Sequence, residues 1–327
     1  MSTCYFRSHL APRLQAFFDM RCALGRNAEF QIKILTYMDR FFVENLKPGQ
    51  SITRSVVENW IQSIKTLSTG TRINRTSIFR QFCKYMYHFD PGTCLVHGNF
   101  CPKRTRPAPY IYTQKQVLAL MSDAKQIGRK GSLRPEVMFT LIGLLYATGL
   151  RIGEALRLTL ADVNIKKRLL IINKSKFKKS RNVPLSRSVV RALKAYLDRR
   201  QNLGYSMDPS ARVFLTEKGR PYGHPTIVTV FLEIARRAGI RGPKGQPGPR
   251  IHDFRHSFAV HRLAAWYREG AVMSAKLPLL STYLGHSTIT GTEVYLQATA
   301  ELLEEAGKRF RNHCALPVRN GEARYDA

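Results

Sequence analysis

A break in helical periodicity between residues 90 and 113 divides this chain of 327 residues. The stretch reads DPGTCLVHGNFCPKRTRPAPYIYT and holds four prolines and two glycines, which is the composition of a linker. The chain is long enough for two domains of ordinary size. We therefore predict a first domain over residues 1–107, with the linker beginning at about residue 90, and a second domain over residues 108–327.

The first domain is predicted to be helical. In SITRSVVENWIQSIKTL, Val56, Trp60 and Ile64 recur at helical spacing after the candidate caps Ser51 and Thr53. The stretch GTRINRTSIFRQFCKYMYHF repeats the pattern, with basic residues between the apolar positions. Such a face suits contact with the DNA backbone, and it equally suits a solvated face over a core stripe.

The second domain is predicted to be mainly α-helical with a small antiparallel β-sheet. Thr113 is placed to cap a helix over QKQVLALMSDAK. Two short apolar runs, residues 168–173 and 181–186, flank the basic segment KSKFKKS, which predicts a β-hairpin with a basic tip. Residues 241–250, RGPKGQPGPR, read as a loop before a strong helical segment.

The charge balance indicates the partner. Lys and Arg number 53 against 22 Asp and Glu, giving a formal net charge of +31. A polyanion would relieve the resulting self-repulsion, so nucleic acid is the predicted partner, with an anionic membrane surface or a ribosomal role as the competing interpretation.

Nothing in the sequence predicts export or a membrane span. The N-terminus MSTCYFRSHLAPRLQ lacks the apolar region of a secretory signal, and the apolar stretch VMFTLIGLLYATGL is too short to cross a bilayer.

The six cysteines are expected to be reduced and mostly buried. Cys94, His97 and Cys101 lack a second ligand cluster nearby, so no metal site is predicted. We expect a cytoplasmic, nucleoid-associated protein.

The side chains that could break a phosphodiester bond are cationic, because the acidic residues are few and scattered. Metal-free phosphoryl transfer needs guanidinium groups against the phosphate, a proton donor for the leaving oxygen and a protein nucleophile. Arg151 follows Gly149 at a predicted junction of two helices. His252 and Arg255 are three residues apart and share a helical face, while His256 is interpreted as a structural residue or as one that supports the site from behind.

The remaining candidates lie on the hairpin tip and near the C-terminus. The tip lysines suit contacts with backbone phosphates, and one of them could instead act as a general acid. His286 follows Gly285 at a predicted helix start, and Tyr295 lies on the next helical segment. Its hydroxyl could act as a nucleophile, with His252 as the proton acceptor. The tip lysines are Lys174, Lys176, Lys178 and Lys179.

Four motifs, in order, resemble those of the tyrosine recombinase (phage integrase) family. They are TGLRIGEAL, SKFKKSRNVPL, HDFRHSFA and LGHSTITGTEVYLQ, and together they cover about residues 145–297. The helical N-terminal region with its linker resembles the family's core-binding domain more loosely. One departure is visible: where the family commonly has two threonines before its tyrosine, GTEVY keeps Thr292 and has Gly291 beside it.

The resemblance implies roles for individual residues. Arg151 and Arg255 would bind the scissile phosphate, and His252 would be the proton acceptor. His286 would hydrogen-bond the phosphate, and Tyr295 would form a 3′-phosphotyrosyl bond. Lys176 matches the hairpin lysine that protonates the leaving 5′-oxygen, with Lys174 and Lys178 as alternatives. Further DNA contacts are predicted for Lys174, Lys178, Lys179 and Arg181.

The resemblance also implies an assembly. Two domains would form a C-shaped clamp on double-stranded DNA with an inverted-repeat core site, and four protomers would act on two sites, alone or with other recombinases. No metal or other cofactor is implied. The predicted function is site-specific recombination for a mobile element; the alternatives are a type IB topoisomerase and a non-catalytic DNA-binding accessory protein. The tail over residues 298–316 is predicted to be an amphipathic helix, docked on a neighbouring protomer or on its own domain.

Overall fold

The computed structural model describes residues 6–97, 100, 109–129, 131–173 and 180–285. The chain divides into two compact units, Met1–Pro107 and Ala108–Ala327. Both units are mainly helical, and a small antiparallel sheet lies in the second, so the predicted fold class is confirmed.

The described part of the first unit contains four helices around an aromatic core. The Trp60 ring stacks on Phe79 with centroids 5.0 Å apart, and Phe17 packs edge-on against Phe82. Burial of these rings, together with the aliphatic side chains around them, stabilises this unit. The helices are α1 Ala11–Ala23, α2 Ala28–Asn45, α3 Arg54–Ser63 and α4 Thr69–Tyr87.

Side-chain caps mark the starts of α2 and α4. The Asn27 side chain accepts a hydrogen bond from the Phe30 amide, and Ser68 does the same for Thr71. Thr53 precedes α3 as predicted, but its hydroxyl bonds to Ser55 and not to a backbone amide.

The second unit contains seven α-helices, a short 3-10 helix at Leu160–Asp162 and three strands in its described part. Thr113 caps the first of these helices through a reciprocal pair of bonds with Gln116, as the sequence predicts. The helices are α5 Gln114–Ala124, α6 Arg134–Thr148, α7 Ile152–Arg157, α8 Arg187–Asn202, α9 His224–Arg237, α10 Asp253–Arg268 and α11 Met273–Leu284. The strands are β1 Val163–Asn164, β2 Leu169–Ile172 and β3 Arg181–Pro184.

The sheet has the order β1-β2-β3 and is antiparallel throughout. Strands β2 and β3 form the predicted hairpin, with Ile172 opposite Arg181. Leu170 and Val183 are buried beneath the sheet, whereas Ile171 is exposed, as the alternation of a strand requires. Strand β1 was not predicted because its two residues are too few to show a pattern. The hairpin tip, residues 174–179, lies outside the described residues.

The long apolar stretch of the sequence forms α6, which is a core helix. Its residues Val137, Met138, Leu141 and Ile142 are fully buried in the main core of the second unit. None of the helices in the described ranges is long and apolar enough to cross a membrane.

Helix α10 is tied to the end of the linker. The Tyr112 amide donates to the Ser257 hydroxyl at 2.8 Å, and the Tyr112 ring stacks on Phe254 with centroids 4.6 Å apart. The preceding residues 241–250 form no helix or strand, as predicted. These contacts hold the start of α10, where His252 precedes the helix and Arg255 lies in its first turn.

The cysteines within the described ranges are free thiols. Cys83 is buried, and burial raises its pKa; Cys22 and Cys94 are half-buried. His97 is also described, but Cys101 lies outside the described residues. The prediction that these residues form no metal site therefore stays a prediction.

Gly149 connects α6 to α7 in a conformation that other residues rarely adopt. It ends α6 with φ +62°, and a Cβ built on it would lie 2.5 Å from Cδ1 of Phe258. We predict that Gly149→Ala lowers the free energy of unfolding by more than about 1 kcal/mol, measured by urea unfolding.

Gly153→Ala is the matched control. Gly153 lies inside α7, and the nearest atom to its built Cβ is the end of the Arg157 side chain at 3.4 Å. Alanine is favoured over glycine in a helix by roughly 0.5–1 kcal/mol, so this change should be neutral or stabilising. Equal destabilisation by both substitutions would contradict the argument from the Gly149 geometry.

Candidate active site

The end of α11 brings together three guanidinium groups from three different elements. Helix α11 ends at Leu284, with Gly285 in the left-handed conformation at φ +66°. The carbonyls of a last helical turn lack partners within the helix and carry partial negative charge. Three consecutive carbonyls here each accept one arginine. The nitrogen–oxygen pairs are Arg181 Nε to Tyr283 at 2.9 Å, Arg255 Nη2 to Leu284 at 2.7 Å and Arg151 Nη2 to Gly285 at 3.2 Å.

Arg255 is the most deeply buried of the three. It lies on α10, is 2% exposed, and donates its second terminal nitrogen to the Gly149 carbonyl at 2.9 Å. Gly149 and Leu284 thus hold the guanidinium plane from two sides. Their carbonyls are neutral, so they fix its orientation without cancelling its charge.

Arg151 lies directly before α7, at the predicted junction of two helices. Its side chain is 26% exposed, and Nη1 donates to Glu154 Oε1 at 2.9 Å. Its backbone amide donates to the other carboxylate oxygen at 3.1 Å. Glu154 therefore holds both the main chain and the side chain of Arg151.

Glu154 is shared between Arg151 and Arg181. Arg181 binds the carboxylate with both terminal nitrogens, at 2.8 and 3.3 Å. Burial raises the pKa of Glu154, but the hydrogen bonds and charges of Arg181 and then Arg151 outweigh it and lower the pKa to about 2. One carboxylate thus stays ionised between two guanidinium groups.

Glu154 was missed at the sequence level. The signal was present, because it stands three residues after Arg151 and at the capping-box position of α7. Its bond to Arg181 spans 27 residues and has no sequence signature.

His252 lies immediately before α10, three residues from Arg255. His252 is partly accessible to solvent, and the surrounding protein lowers its pKa to about 4. Desolvation is the largest cause, followed by the charges of His256 and Arg255, and Arg151 contributes in the same direction. The imidazole is therefore neutral at pH 7 and can accept a proton. The two histidine rings are perpendicular, with centroids 5.2 Å apart.

The structure brings together Arg151, His252 and Arg255, as the motifs predict. Arg181, predicted as a DNA contact, has a side chain that is 12% exposed and is bound to the Glu154 carboxylate and the Tyr283 carbonyl. Gly285 ends a helix, and the helix start predicted after it lies outside the described residues. The candidates outside the described residues are Lys174, Lys176, Lys178, Lys179, His286 and Tyr295.

We searched the described ranges for side chains that could bind a metal ion. No group of three His, Cys, Asp or Glu side chains there is arranged to hold a metal ion. Asp253, which is buried at the start of α10, accepts hydrogen bonds from the backbone and the side chain of Arg250.

The sequence profile of the phage integrase family matches residues 111–301. The chain belongs to this family. The recombinase is 33% identical over 301 residues to y4rB of Sinorhizobium fredii, which bears an integrase/recombinase name, with 91% of this chain and 95% of that protein covered. It is 29% identical to the tyrosine recombinase XerA of Pyrococcus furiosus over 85% of this chain and 87% of that one.

Solved structures share the fold of the recombinase. The Tn1549 transposon integrase, in a complex with transposon right end DNA, superposes with a TM-score of 0.64 at 19% identity, covering 92% of this chain and 99% of that one. The predicted family and enzyme class are confirmed: the protein is a tyrosine-type site-specific recombinase, and DNA is its substrate.

Because Glu154 is ionised in the folded protein, the stability of the recombinase should depend on pH. Its pKa is about 2 in the folded protein and 4.5 ordinarily, so its stabilising effect is complete above pH 4.5 and is lost as the pH falls toward 2. We predict that Glu154→Gln destabilises the protein near neutral pH and that the difference from wild type shrinks below pH 4.5. Urea unfolding of both proteins across this range measures it.

Glu58→Gln is the control. Glu58 pairs with Arg54 on an exposed helical face, where such pairs contribute little. A Glu154→Gln difference that is independent of pH would contradict the assignment of an ionised, doubly paired carboxylate.

Proposed function

We propose that the recombinase cuts and rejoins DNA through a covalent bond between Tyr295 and a 3′-phosphate, with Arg151 and Arg255 binding the scissile phosphate. The observation that supports this most is the convergence of both arginines on the last carbonyls of α11. The chain continues from there directly into His286, and Tyr295 follows nine residues later.

The proposed reaction needs no group from outside the protein and the DNA. The Tyr295 oxygen attacks phosphorus, and its proton passes to the neutral imidazole of His252. The bond from phosphorus to the 5′-oxygen breaks, and Lys176 gives that oxygen a proton, which leaves a free 5′-hydroxyl. The arginines stabilise the charge on the pentavalent phosphate, and His286 hydrogen-bonds one of its oxygens. The phosphotyrosyl bond keeps the energy needed for rejoining.

The arrangement around Glu154 suits this chemistry. Its carboxylate is bound by Arg151 and Arg181, so it is not placed to ligate a metal. Orientation of the arginines before DNA binds means that little reorganisation is needed at the moment of reaction.

The proposal extends to the assembly and its biological role. The substrate would be double-stranded DNA with an inverted-repeat core site, held in a C-shaped clamp by the core-binding and catalytic domains. Four protomers would act on two such sites, alone or with other recombinases, at the nucleoid in the cytoplasm. Lys174, Lys178 and Lys179 would contact phosphates. The fold shared with a transposon integrase and the name of y4rB support a role in the recombination of a mobile element.

We predict that Tyr295→Phe abolishes covalent trapping and leaves DNA binding within about threefold of wild type, because the substitution removes only the nucleophilic oxygen. Purified proteins are incubated with sheared, nicked DNA from around the gene, denatured, and assayed for adducts, which are then sequenced. Adducts confined to the wild type and clustered at one sequence are the expected result.

Other outcomes of the trapping experiment would change the proposal. Adducts formed by Tyr295→Phe would show a different nucleophile. Scattered wild-type adducts would favour topoisomerase-like cleavage.

We predict that Lys176→Ala slows cleavage by roughly 10²–10⁴-fold, the usual contribution of a general acid. A substrate with sulfur in place of the bridging 5′-oxygen should restore the rate, because a thiolate leaves without being protonated. Single-turnover formation of the covalent complex measures both rates.

Lys174→Ala and Lys178→Ala are the matched controls. Neither should show a defect that sulfur rescues. If Lys178→Ala shows it and Lys176→Ala does not, the general acid is Lys178 and the assignment to Lys176 is wrong.

A further inference from the structure

We infer that Arg181 is a positioning residue for the recombination reaction: it holds the base of the β2–β3 hairpin, Glu154 and the end of α11 in one arrangement. This inference rests on the site proposed above. It assigns Arg181 a role in the cleavage step and not in DNA affinity.

The hydrogen bonds of Arg181 all run into the protein. Nε donates to the Tyr283 carbonyl at 2.9 Å, and the two terminal nitrogens donate to the two oxygens of Glu154. All three guanidinium nitrogens are therefore engaged, and the Glu154 carboxylate supplies an opposite charge. Three of its five N–H donors are used within the protein and an opposite charge already lies beside it, which favours a role in holding the fold over a contact with a DNA phosphate.

Arg181 also occupies a fixed place in the sheet. It is the first residue of β3 and pairs with Ile172 at the last position of β2, and the sequence between these two residues contains Lys176. The backbone of Arg181 thus belongs to the base of the hairpin, while its side chain reaches the end of α11 across 102 residues.

The packing around the guanidinium depends on Gly285. A Cβ built there would lie 3.0 Å from Arg181 Nη1, tighter than ordinary contact. The glycine therefore lets the helix end approach the guanidinium closely, at the residue from which the chain enters His286.

The consequence for catalysis is geometric. Removing the Arg181 guanidinium frees the hairpin base from α11 and leaves Glu154 paired with Arg151 alone. Arg151 would then be the sole partner of a carboxylate that it now shares with Arg181. Displacements of about 1 Å can cost 10²-fold in rate, so the cleavage step should suffer while the DNA-contacting surface is unchanged.

The test compares Arg181→Gln with Lys179→Gln in the full-length protein on its trapped DNA site. Single-turnover covalent complex formation is measured at saturating DNA, and DNA affinity is measured over a range of salt concentrations. Arg181→Gln is expected to lower the cleavage rate at least about tenfold, with the dependence of log affinity on log salt unchanged. Lys179→Gln is expected to reduce that slope by about one, as loss of a phosphate contact does.

Two further variants separate positioning from simple loss of structure. Arg181→Lys keeps a cation against Glu154 but loses the fork, so it should recover part of the cleavage rate. In combination with Glu154→Gln, Arg181→Gln should add little further loss, because both substitutions break the same link. If Arg181→Gln does not fold, the comparison of rate and salt slope is made with Arg181→Lys.

The opposite results overturn the inference. A salt slope lowered by about one, with cleavage restored at saturating DNA, would make Arg181 a phosphate contact. Wild-type cleavage by the folded Arg181 variants would remove any role in positioning. These failures are distinct from failure of the proposed function, in which the wild type itself forms no Tyr295-dependent adduct.

Discussion

The candidate site depends on one interaction: three consecutive carbonyls at the end of α11, those of Tyr283, Leu284 and the C-cap Gly285, each accept a hydrogen bond from an arginine elsewhere in the chain. A helix end offers several acceptors close together, with a partial negative charge that attracts cations. The arginines arrive from the α6–α7 junction, from β3 and from α10. Like-charged groups would repel one another at this spacing, so the shared helix end stabilises a cluster that electrostatics otherwise opposes.

Glu154 sets how much positive charge the cluster keeps. Its single carboxylate binds Arg181 with two bonds and Arg151 with one side-chain bond, and its low pKa keeps it ionised. A protonated Glu154 would leave the two guanidiniums repelling each other. A second carboxylate would neutralise both guanidiniums. One shared carboxylate therefore stabilises the two arginines and still leaves the group with a net positive charge.

Sequence patterns predicted the local parts of this architecture and missed the links between distant parts. The cap at Thr113, the hairpin and the junction before Arg151 are encoded in neighbouring residues and are confirmed. The contacts of Arg181 were not predicted, because its partners lie 27 and 102 residues away in the sequence. Next to a lysine-rich tip, Arg181 looks like another phosphate contact. Only the fold shows that its side chain reaches a buried carboxylate.

The two phosphate-binding candidates are held to different degrees, which suggests a division of labour. Arg255 is buried and bound by two carbonyls at 2.9 and 2.7 Å, so its orientation is fixed before DNA arrives. Arg151 is more exposed, and its bond to Gly285 is the longest of the three at 3.2 Å. Exchanging that bond for one to a phosphate oxygen would cost little. Arg255 would then define where the phosphate sits, and Arg151 would adjust as charge develops, because a charged acceptor makes a stronger hydrogen bond than a carbonyl.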